Sequence, residues 1–192
     1  MIALLVVDAQ QEFSSQGKRP TENYHEVIQA IQQRVHFARS HHQPIAWVRH
    51  FNRPNESPAF IPESWGAKYS DGCGPLRTSN LEKEFLKNVY GAFSGSFLHD
   101  WLENNKVTAV LLVGFYAHGC VSTTAREAIM LGYEVQIDPT ATASCAMKDD
   151  YLGALTADEA HHSALLHLLN MGAKLALPNY IDYPQAYPVE LH

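Results

Sequence analysis

The sequence predicts a single domain of the three-layer α/β class. Five short apolar runs recur along the chain, and each has the length of a β-strand. The runs are continuous rather than alternating, which is typical of strands that are covered on both faces of a parallel sheet. Segments with helical spacing of apolar residues separate the runs, and such strand–helix alternation indicates helices packed against a sheet. A length of 192 residues fits one domain, 1–192.

The predicted elements follow one another in a regular order. The strands are IALLVV (2–7), PIAWV (44–48), VTAVLLVG (107–114), YEVQI (133–137) and AKLAL (173–177). The helices are predicted at 23–41, 95–105, 120–131 and 156–171, the last two closed by the stop signal of a following glycine. Residues 52–80 are rich in proline and glycine and are predicted to form a long irregular insertion. Residues 178–192 are predicted to be a tail that wraps a neighbouring subunit or lies on the surface.

Composition and charge exclude several classes of protein. The formal net charge is −6 and the chain has no long basic run, which argues against nucleic acid or an anionic membrane as a partner. The first apolar run ends at Asp8 with no basic residue before it, so it is too short for a signal peptide or a membrane span. The three cysteines, Cys73, Cys120 and Cys145, form no CxxC pair, so neither disulfides nor a zinc knuckle are indicated. We expect a cytoplasmic protein.

Three positions are candidates for chemistry, although none is specific alone. Asp8 follows the first strand, and functional groups collect at the carboxyl ends of parallel strands; a turn or cap aspartate explains it equally well. Cys120 lies at the start of a predicted helix, where the macrodipole and free N–H groups favour a thiolate and an oxyanion; an inert buried cysteine is the alternative. Lys87 precedes a predicted helix, where a lone lysine is ordinarily a solvated surface charge.

Taken together, three segments resemble the signatures of the isochorismatase-like cysteine hydrolases. They are LLVVDAQQEF (4–13), KNVYGAFSGSFL (87–98) and VLLVGFYAHGCVSTTAREAIMLGYEV (110–135). The order and spacing match, and the resemblance covers nearly the whole chain. It implies a Rossmann-like, three-layer α/β/α fold with a parallel sheet of about six strands. It also implies a catalytic triad of Asp8, Lys87 and Cys120.

The resemblance further implies the geometry and chemistry of the site. A cis peptide bond is expected between Phe115 and Tyr116, and an oxyanion hole formed by the backbone N–H groups of Tyr116 and Cys120. An ammonium and a helix N-terminus both stabilise a thiolate, so we expect the pKa of Cys120 to lie below the free-cysteine value of about 8.5. The carboxylate of Asp8 accepts the thiol proton and returns it to the leaving amine. The predicted enzyme cleaves a C–N bond of a small amide or ureide through a thioester-type intermediate.

The chain also departs from family patterns. Nicotinamidases of the family hold a metal with an Asp-x-His pair after the second strand, whereas Val48 stands two residues before His50 here. We therefore predict no metal and no other cofactor. The Thr-Asp or Thr-Asn pair that the family often has before the cysteine is replaced here by Ala117 and His118. The side chain of His118 either lines the site or points to solvent, and we expect it to point to solvent. By analogy and loop position, the predicted substrate pocket consists of Phe13, Trp65, Tyr90, Tyr116 and Val121.

Two alternative functions stay open. The first is hydrolysis of an isochorismate-like vinyl ether, whose carboxylates would need cationic groups near the pocket; Arg49, Arg53 and Lys68 lie in or beside the insertion, although solvated surface charges explain them. The second is a non-catalytic binding protein, because a fold does not fix a function. A complete triad argues against the second. The resemblance also implies a homo-oligomer, without giving the number of subunits.

Overall fold

The computed structural model describes residues 1–53 and 55–177. Its strands are β1 (Ile2–Val7), β2 (Ile45–His50), β3 (Glu82–Lys87), β4 (Ala109–Phe115), β5 (Glu134–Ala143), β6 (Met147–Asp149), β7 (Gly153–Leu155) and β8 (Lys174–Leu175). Six of them form one sheet in the order β3-β2-β1-β4-β5-β8, and every neighbouring pair in it is parallel. Strands β6 and β7 form a separate antiparallel hairpin. The predicted parallel sheet of about six strands is confirmed.

Helices cover both faces of the sheet. They are α1 (Tyr24–Ser40), α2 (Leu98–Asn104), α3 (Ser122–Met130) and α4 (Ala157–Asn170). Successive residues of a strand point to opposite faces, so Leu4 and Val6 of β1 pack in one apolar cluster with α1. Leu5 and Val7 pack in a second cluster with residues of the other three helices. The predicted three-layer arrangement is therefore present. No helix within the described part of the chain is long and apolar enough to cross a bilayer.

Lys87 is the last residue of β3, a strand that the apolar runs did not predict, and it precedes α2 in the chain. The strand reads EKEFLK because it lies at an edge of the sheet, where three of its six residues are exposed. The predicted tail, 178–192, lies outside the described residues.

The sheet is shaped for close contact where β1 and β4 end. Asp8 follows β1 with φ +54°, a left-handed conformation that is uncommon for residues other than glycine but tolerated by aspartate. Gly114 of β4 has φ +124°, and a Cβ added there would lie 1.8 Å from the backbone oxygen of Val7. A larger residue at 114 would push the two strands apart. The chain leaves β4 from this point and enters a one-turn irregular helix, Ala117–Val121, which contains Cys120.

Candidate active site

Asp8, Lys87 and Cys120 meet beyond the carboxyl ends of β1, β3 and β4. The Nζ atom of Lys87 donates to Asp8 Oδ2 at 2.8 Å and to Cys120 Sγ at 3.2 Å. The side chains of Lys87 and Asp8 are each 1% exposed. The other carboxylate oxygen, Asp8 Oδ1, is buried and has no hydrogen-bond partner among the described residues. One ammonium group thus joins a carboxylate and a thiol, as the sequence signatures led us to expect.

A histidine makes a third contact with the same ammonium. His50 Nδ1 lies 3.3 Å from Lys87 Nζ, and His50 Nε2 lies 3.0 Å from Asn52 Oδ1. His50 ends β2 and is the register partner of Lys87 across the parallel pair. The contact between His50 and Lys87 was not predictable from the sequence, because it depends on the register of β3, a strand that was not predicted.

The resting state of the thiol differs from the expectation. Burial raises the pKa of Cys120 well above its ordinary value, and the negative charge of Asp8 raises it further, while Lys87 lowers it by less. Burial alone would lower the pKa of Lys87, but the charges and hydrogen bonds of Asp8 and Cys120 together outweigh burial and raise it. The prediction of a lowered thiol pKa was therefore wrong. The reason is that burial disfavours the thiolate and that the Asp8 carboxylate already neutralises the ammonium.

Asp8 and Cys120 line a cavity of about 700 Å³, and Lys87 contacts both of them. Its walls include four aromatic rings and several uncharged polar groups. The aromatic residues are Phe13, Phe60, Tyr90 and Tyr116, and the polar side chains include Asn52, Ser57, Asn88 and Thr123. Arg19 and Glu56 add one charge of each sign. Apolar walls with a few polar groups are typical of sites for small molecules.

Two residues of the predicted pocket do not line this cavity. Trp65 lines a separate cavity of about 550 Å³ beside α1, because the insertion turns back toward the residues that follow β1. There the backbone N–H of Glu12 donates to the oxygen of Gly66 at 2.9 Å. Val121 is fully buried in the core cluster formed with α3, since it points away from its neighbour Cys120 and into the domain. The other three predicted residues, Phe13, Tyr90 and Tyr116, lie along the cavity.

The turn before Cys120 has the expected cis peptide bond between Phe115 and Tyr116. His118 lines the cavity, with its ring stacked on that of Tyr116 at a centroid distance of 5.1 Å and an interplanar angle of 14°. Burial lowers the pKa of His118, so the ring is neutral at pH 7. The expectation that His118 points to solvent was wrong, because the stacking holds the ring in the cavity wall.

Comparisons with known proteins identify relatives across nearly the whole chain. The model of the isochorismatase domain matches residues 2–176. The chain belongs to the isochorismatase family. An isochorismatase from Pseudomonas putida KT2440 has a solved structure that superposes with a TM-score of 0.84 at 26% identity, covering 92% of this chain and 87% of that one. Members of the isochorismatase family are hydrolases.

Curated relatives include family proteins with and without a named activity. An uncharacterized isochorismatase family protein of Bacillus subtilis, YddQ, is 26% identical over 170 residues, which is 88% of this chain and 91% of the relative. The nicotinamidase/pyrazinamidase of Mycobacterium tuberculosis is 29% identical over 164 residues, 75% of this chain and 88% of the relative.

The residues present do not fit the metal that the nicotinamidase resemblance implies. Val48 offers a hydrocarbon side chain and is fully buried. Both ring nitrogens of His50 already face partners, and one of these is the ammonium of Lys87, which repels a divalent cation. In residues 1–53 and 55–177 no group of three or more His, Cys, Asp and Glu side chains is arranged to hold a metal.

The cationic groups that favoured the vinyl-ether alternative do not line this isochorismatase-family cavity. Arg49, Arg53 and Lys68 are absent from the cavity lining. Arg49 instead forms a salt bridge with Glu84 at 3.2 Å, and its guanidinium lies 5.4 Å from the centre of the Tyr69 ring. These contacts explain the presence of Arg49 without a role in binding substrate.

Proposed function

We propose that this isochorismatase-family protein is a cysteine hydrolase that cleaves the C–N bond of a small amide or ureide. The observation that carries the proposal is the single ammonium of Lys87, within hydrogen-bond distance of both a carboxylate and a thiol at the cavity. A non-catalytic binding protein has no need to bury these three groups together, because burying charges costs free energy. The amidase name of the mycobacterial relative supports an amide substrate.

In the proposed first step, Cys120 attacks the substrate carbonyl carbon. As the S–C bond forms, the thiol proton passes to Asp8 Oδ1, the buried oxygen without a partner among the described residues. Lys87 remains protonated and stabilises the negative charge that develops on the sulfur. The backbone N–H groups of Tyr116 and Cys120 are proposed to bind the carbonyl oxygen as it becomes an oxyanion. No free thiolate is needed beforehand, which agrees with the raised pKa of Cys120.

The remaining steps return the site to its starting state. The C–N bond breaks, and Asp8 gives its proton to the leaving nitrogen, so ammonia or an amine departs. The acyl group is left on Cys120 as a thioester-type intermediate. Asp8 then takes a proton from a water molecule whose oxygen attacks the acyl carbon. The C–S bond breaks, the sulfur regains a proton from Asp8, and the acid product leaves.

The cavity indicates the size and character of the substrate. Its four aromatic walls favour a planar or apolar acyl group, and its amide and hydroxyl side chains offer hydrogen bonds to a carboxamide or ureide. Within the described residues, Arg19 is the only lysine or arginine that lines this cavity, and the lining carboxylates of Asp8 and Glu56 oppose its charge. A small, neutral substrate fits this lining better than a dicarboxylate.

A panel of small amides and ureides, with isochorismate included, tests the proposal by release of ammonia, amine or pyruvate. Cys120→Ala should abolish turnover, whereas Cys73→Ala, the matched control outside the cavity lining, should retain it. Acid quenching during turnover should trap the acyl group on the peptide that contains Cys120, as seen by mass spectrometry. Wild-type turnover by Cys120→Ala would contradict the proposal, and turnover of isochorismate alone would replace it with the vinyl-ether reaction.

A further inference from the structure

We propose that His50, supported by Asn52, is a positioning residue that holds the catalytic lysine in place, and that it does not serve as a metal ligand. This inference rests on the proposed function, because the lysine that His50 contacts is the member of the triad that joins the other two. It also explains why a histidine occurs here although its metal-binding partner position is occupied by Val48.

The first argument is the number of donors on Lys87. A protonated lysine carries three N–H donors and no acceptor. Its Nζ faces three acceptors in this site: Asp8 Oδ2 at 2.8 Å, Cys120 Sγ at 3.2 Å and His50 Nδ1 at 3.3 Å. His50 therefore completes the set, and the ammonium has one preferred orientation. Without His50 one donor of a buried ammonium is left unpaired, which is costly.

The second argument is the protonation state that these contacts require. Because an ammonium can only donate, His50 Nδ1 must be the unprotonated nitrogen, and Nε2 then carries the hydrogen and donates to Asn52 Oδ1 at 3.0 Å. Asn52 presents its oxygen to the ring because its Nδ2 donates to the backbone oxygen of Ala59 at 2.8 Å. Asn52 therefore selects the tautomer of His50 that can accept from Lys87.

The third argument is that further contacts hold both the backbone and the ring of His50. Gln10 Oε1 accepts from the backbone N–H of His50 at 2.8 Å, and Gln10 Nε2 donates to the backbone oxygen of His50 at 3.0 Å. The ring of Phe60 meets the imidazole edge to face, with centroids 5.2 Å apart. Gln10 is fully buried, so the strand end that presents His50 is fixed before any ligand binds.

The surroundings of His50 keep its ring neutral, which is the state that can accept a hydrogen bond from Lys87. Burial lowers the pKa of His50, the ammonium of Lys87 lowers it further, and the carboxylates of Asp8 and Glu56 oppose this without reversing it. The ring is consequently neutral at pH 7. Protonation at acidic pH would remove the acceptor and place a second cation beside Lys87.

The reactivity of Cys120 toward iodoacetamide tests the inference without any substrate. Alkylation of the Cys120 peptide is measured by mass spectrometry in the full-length protein. The amide oxygen of asparagine can replace Nδ1 of a histidine, whereas that of glutamine lies nearer Nε2. His50→Asn should therefore stay within about threefold of the wild-type rate, while His50→Gln and His50→Ala should be slowed about tenfold, equivalent to about one unit of thiol pKa. Asn52→Leu should also slow alkylation, since the leucine no longer favours the tautomer of His50 that accepts from Lys87.

Several outcomes would overturn the inference. Equal alkylation rates in His50→Asn, His50→Gln and the wild type would show that the acceptor at Nδ1 is irrelevant. Calorimetric titration with zinc chloride alone should give no binding that depends on His50; zinc binding that is lost in His50→Ala would identify a metal ligand instead. If His50→Ala shows no cooperative thermal unfolding, it is not folded and its alkylation rate is set aside. The difference in alkylation rate between His50→Asn and His50→Gln then decides whether the acceptor at Nδ1 matters.

The test also separates this inference from the proposed function. A protein that hydrolyses no amide but shows faster alkylation in His50→Asn than in His50→Gln would uphold the positioning role and contradict the amide hydrolase. Amide turnover and alkylation that are both insensitive to His50 would contradict the positioning role alone.

Discussion

Lys87 Nζ lies 2.8 Å from Asp8 Oδ2, and each of the two side chains is 1% exposed. Their backbones belong to different parts of the sheet, since β1 lies between β2 and β4 while β3 lies at the edge. A buried ion pair adds little to stability as a whole, because both charges lose their hydration. Removing one partner is far more costly than removing both, since the other charge is left buried and uncompensated.

We expect Lys87→Met and Asp8→Asn each to lower the free energy of unfolding by about 3–5 kcal/mol. The double variant should lose less than the sum of the two, because it leaves no unpaired charge. Denaturant unfolding of the four proteins measures this coupling. Additive losses in the double variant would mean that the two groups do not depend on each other. Turnover should fall at least about a hundredfold in all three variants.

The same pair predicts how stability depends on alkaline pH. The pKa of Lys87 is raised in the folded protein, so the stabilisation is complete below the unfolded value of about 10.4 and is lost as the pH rises through the folded value. Unfolding free energies measured between pH 8 and pH 11.5 should decline at the alkaline end. Lys87→Met is the control, and its decline should be smaller; an equal decline would assign the effect to other groups.

Asp8→Asn should make Cys120 more reactive and the enzyme slower. The carboxylate raises the pKa of the thiol, so removing its charge should speed alkylation by iodoacetamide at pH 8, about tenfold for one unit of pKa. Turnover should fall at least about a hundredfold, because the proton carrier is lost. Parallel changes in both rates would contradict a role for Asp8 in proton transfer.

Exhaustive chelation should leave turnover unchanged. The reason is that His50 faces Lys87 and Asn52 through its two ring nitrogens and that Val48 supplies no ligand. Activity is compared before and after treatment with EDTA and dialysis, with added zinc and manganese as separate samples. Loss on chelation followed by recovery with either metal would show that the isochorismatase-family site uses a metal after all.

Two exposed aromatic residues should differ in their effect on substrate binding. Tyr90 lines the cavity that contains Cys120, whereas Trp65 lines the separate cavity beside α1. We expect Tyr90→Ala to raise KM about tenfold, since one aromatic contact contributes roughly 1–1.5 kcal/mol, and Trp65→Ala to leave KM unchanged. A larger effect of Trp65→Ala would assign the substrate to the other cavity.

The buried strands were the predictable part of the fold. Strands such as β1 and β4 are apolar throughout because the sheet covers them on both faces, and this pattern is visible in one sequence. Strand β3 was missed because an edge strand needs few apolar residues: its burial alternates, with only Phe85 and Lys87 buried. The hairpin of β6 and β7 was missed for a similar reason, since all six of its residues are exposed.

The site was predictable only where a local motif carried it. Asp8, Lys87 and Cys120 each stand in a recognisable segment, so they were found together. The pocket was less predictable, because Phe60 and Trp65 both lie in the insertion and only the fold decides which of them faces Cys120. The thiol pKa was mispredicted because the helix terminus and the ammonium were considered without the desolvation that accompanies them.

The location of Lys87 places one member of the proposed triad on an edge strand of the sheet. Strand β3 has a neighbour on one side only, and Lys87 is its last residue. Edge strands and strand ends are the parts of a sheet that open most readily by local fluctuation. Separation of this strand from β2 would withdraw the ammonium from the carboxylate, the thiol and the imidazole in a single event, while the central strands stay paired. We therefore expect the proposed activity to be lost on heating by fraying of this edge strand, before the core of the domain melts.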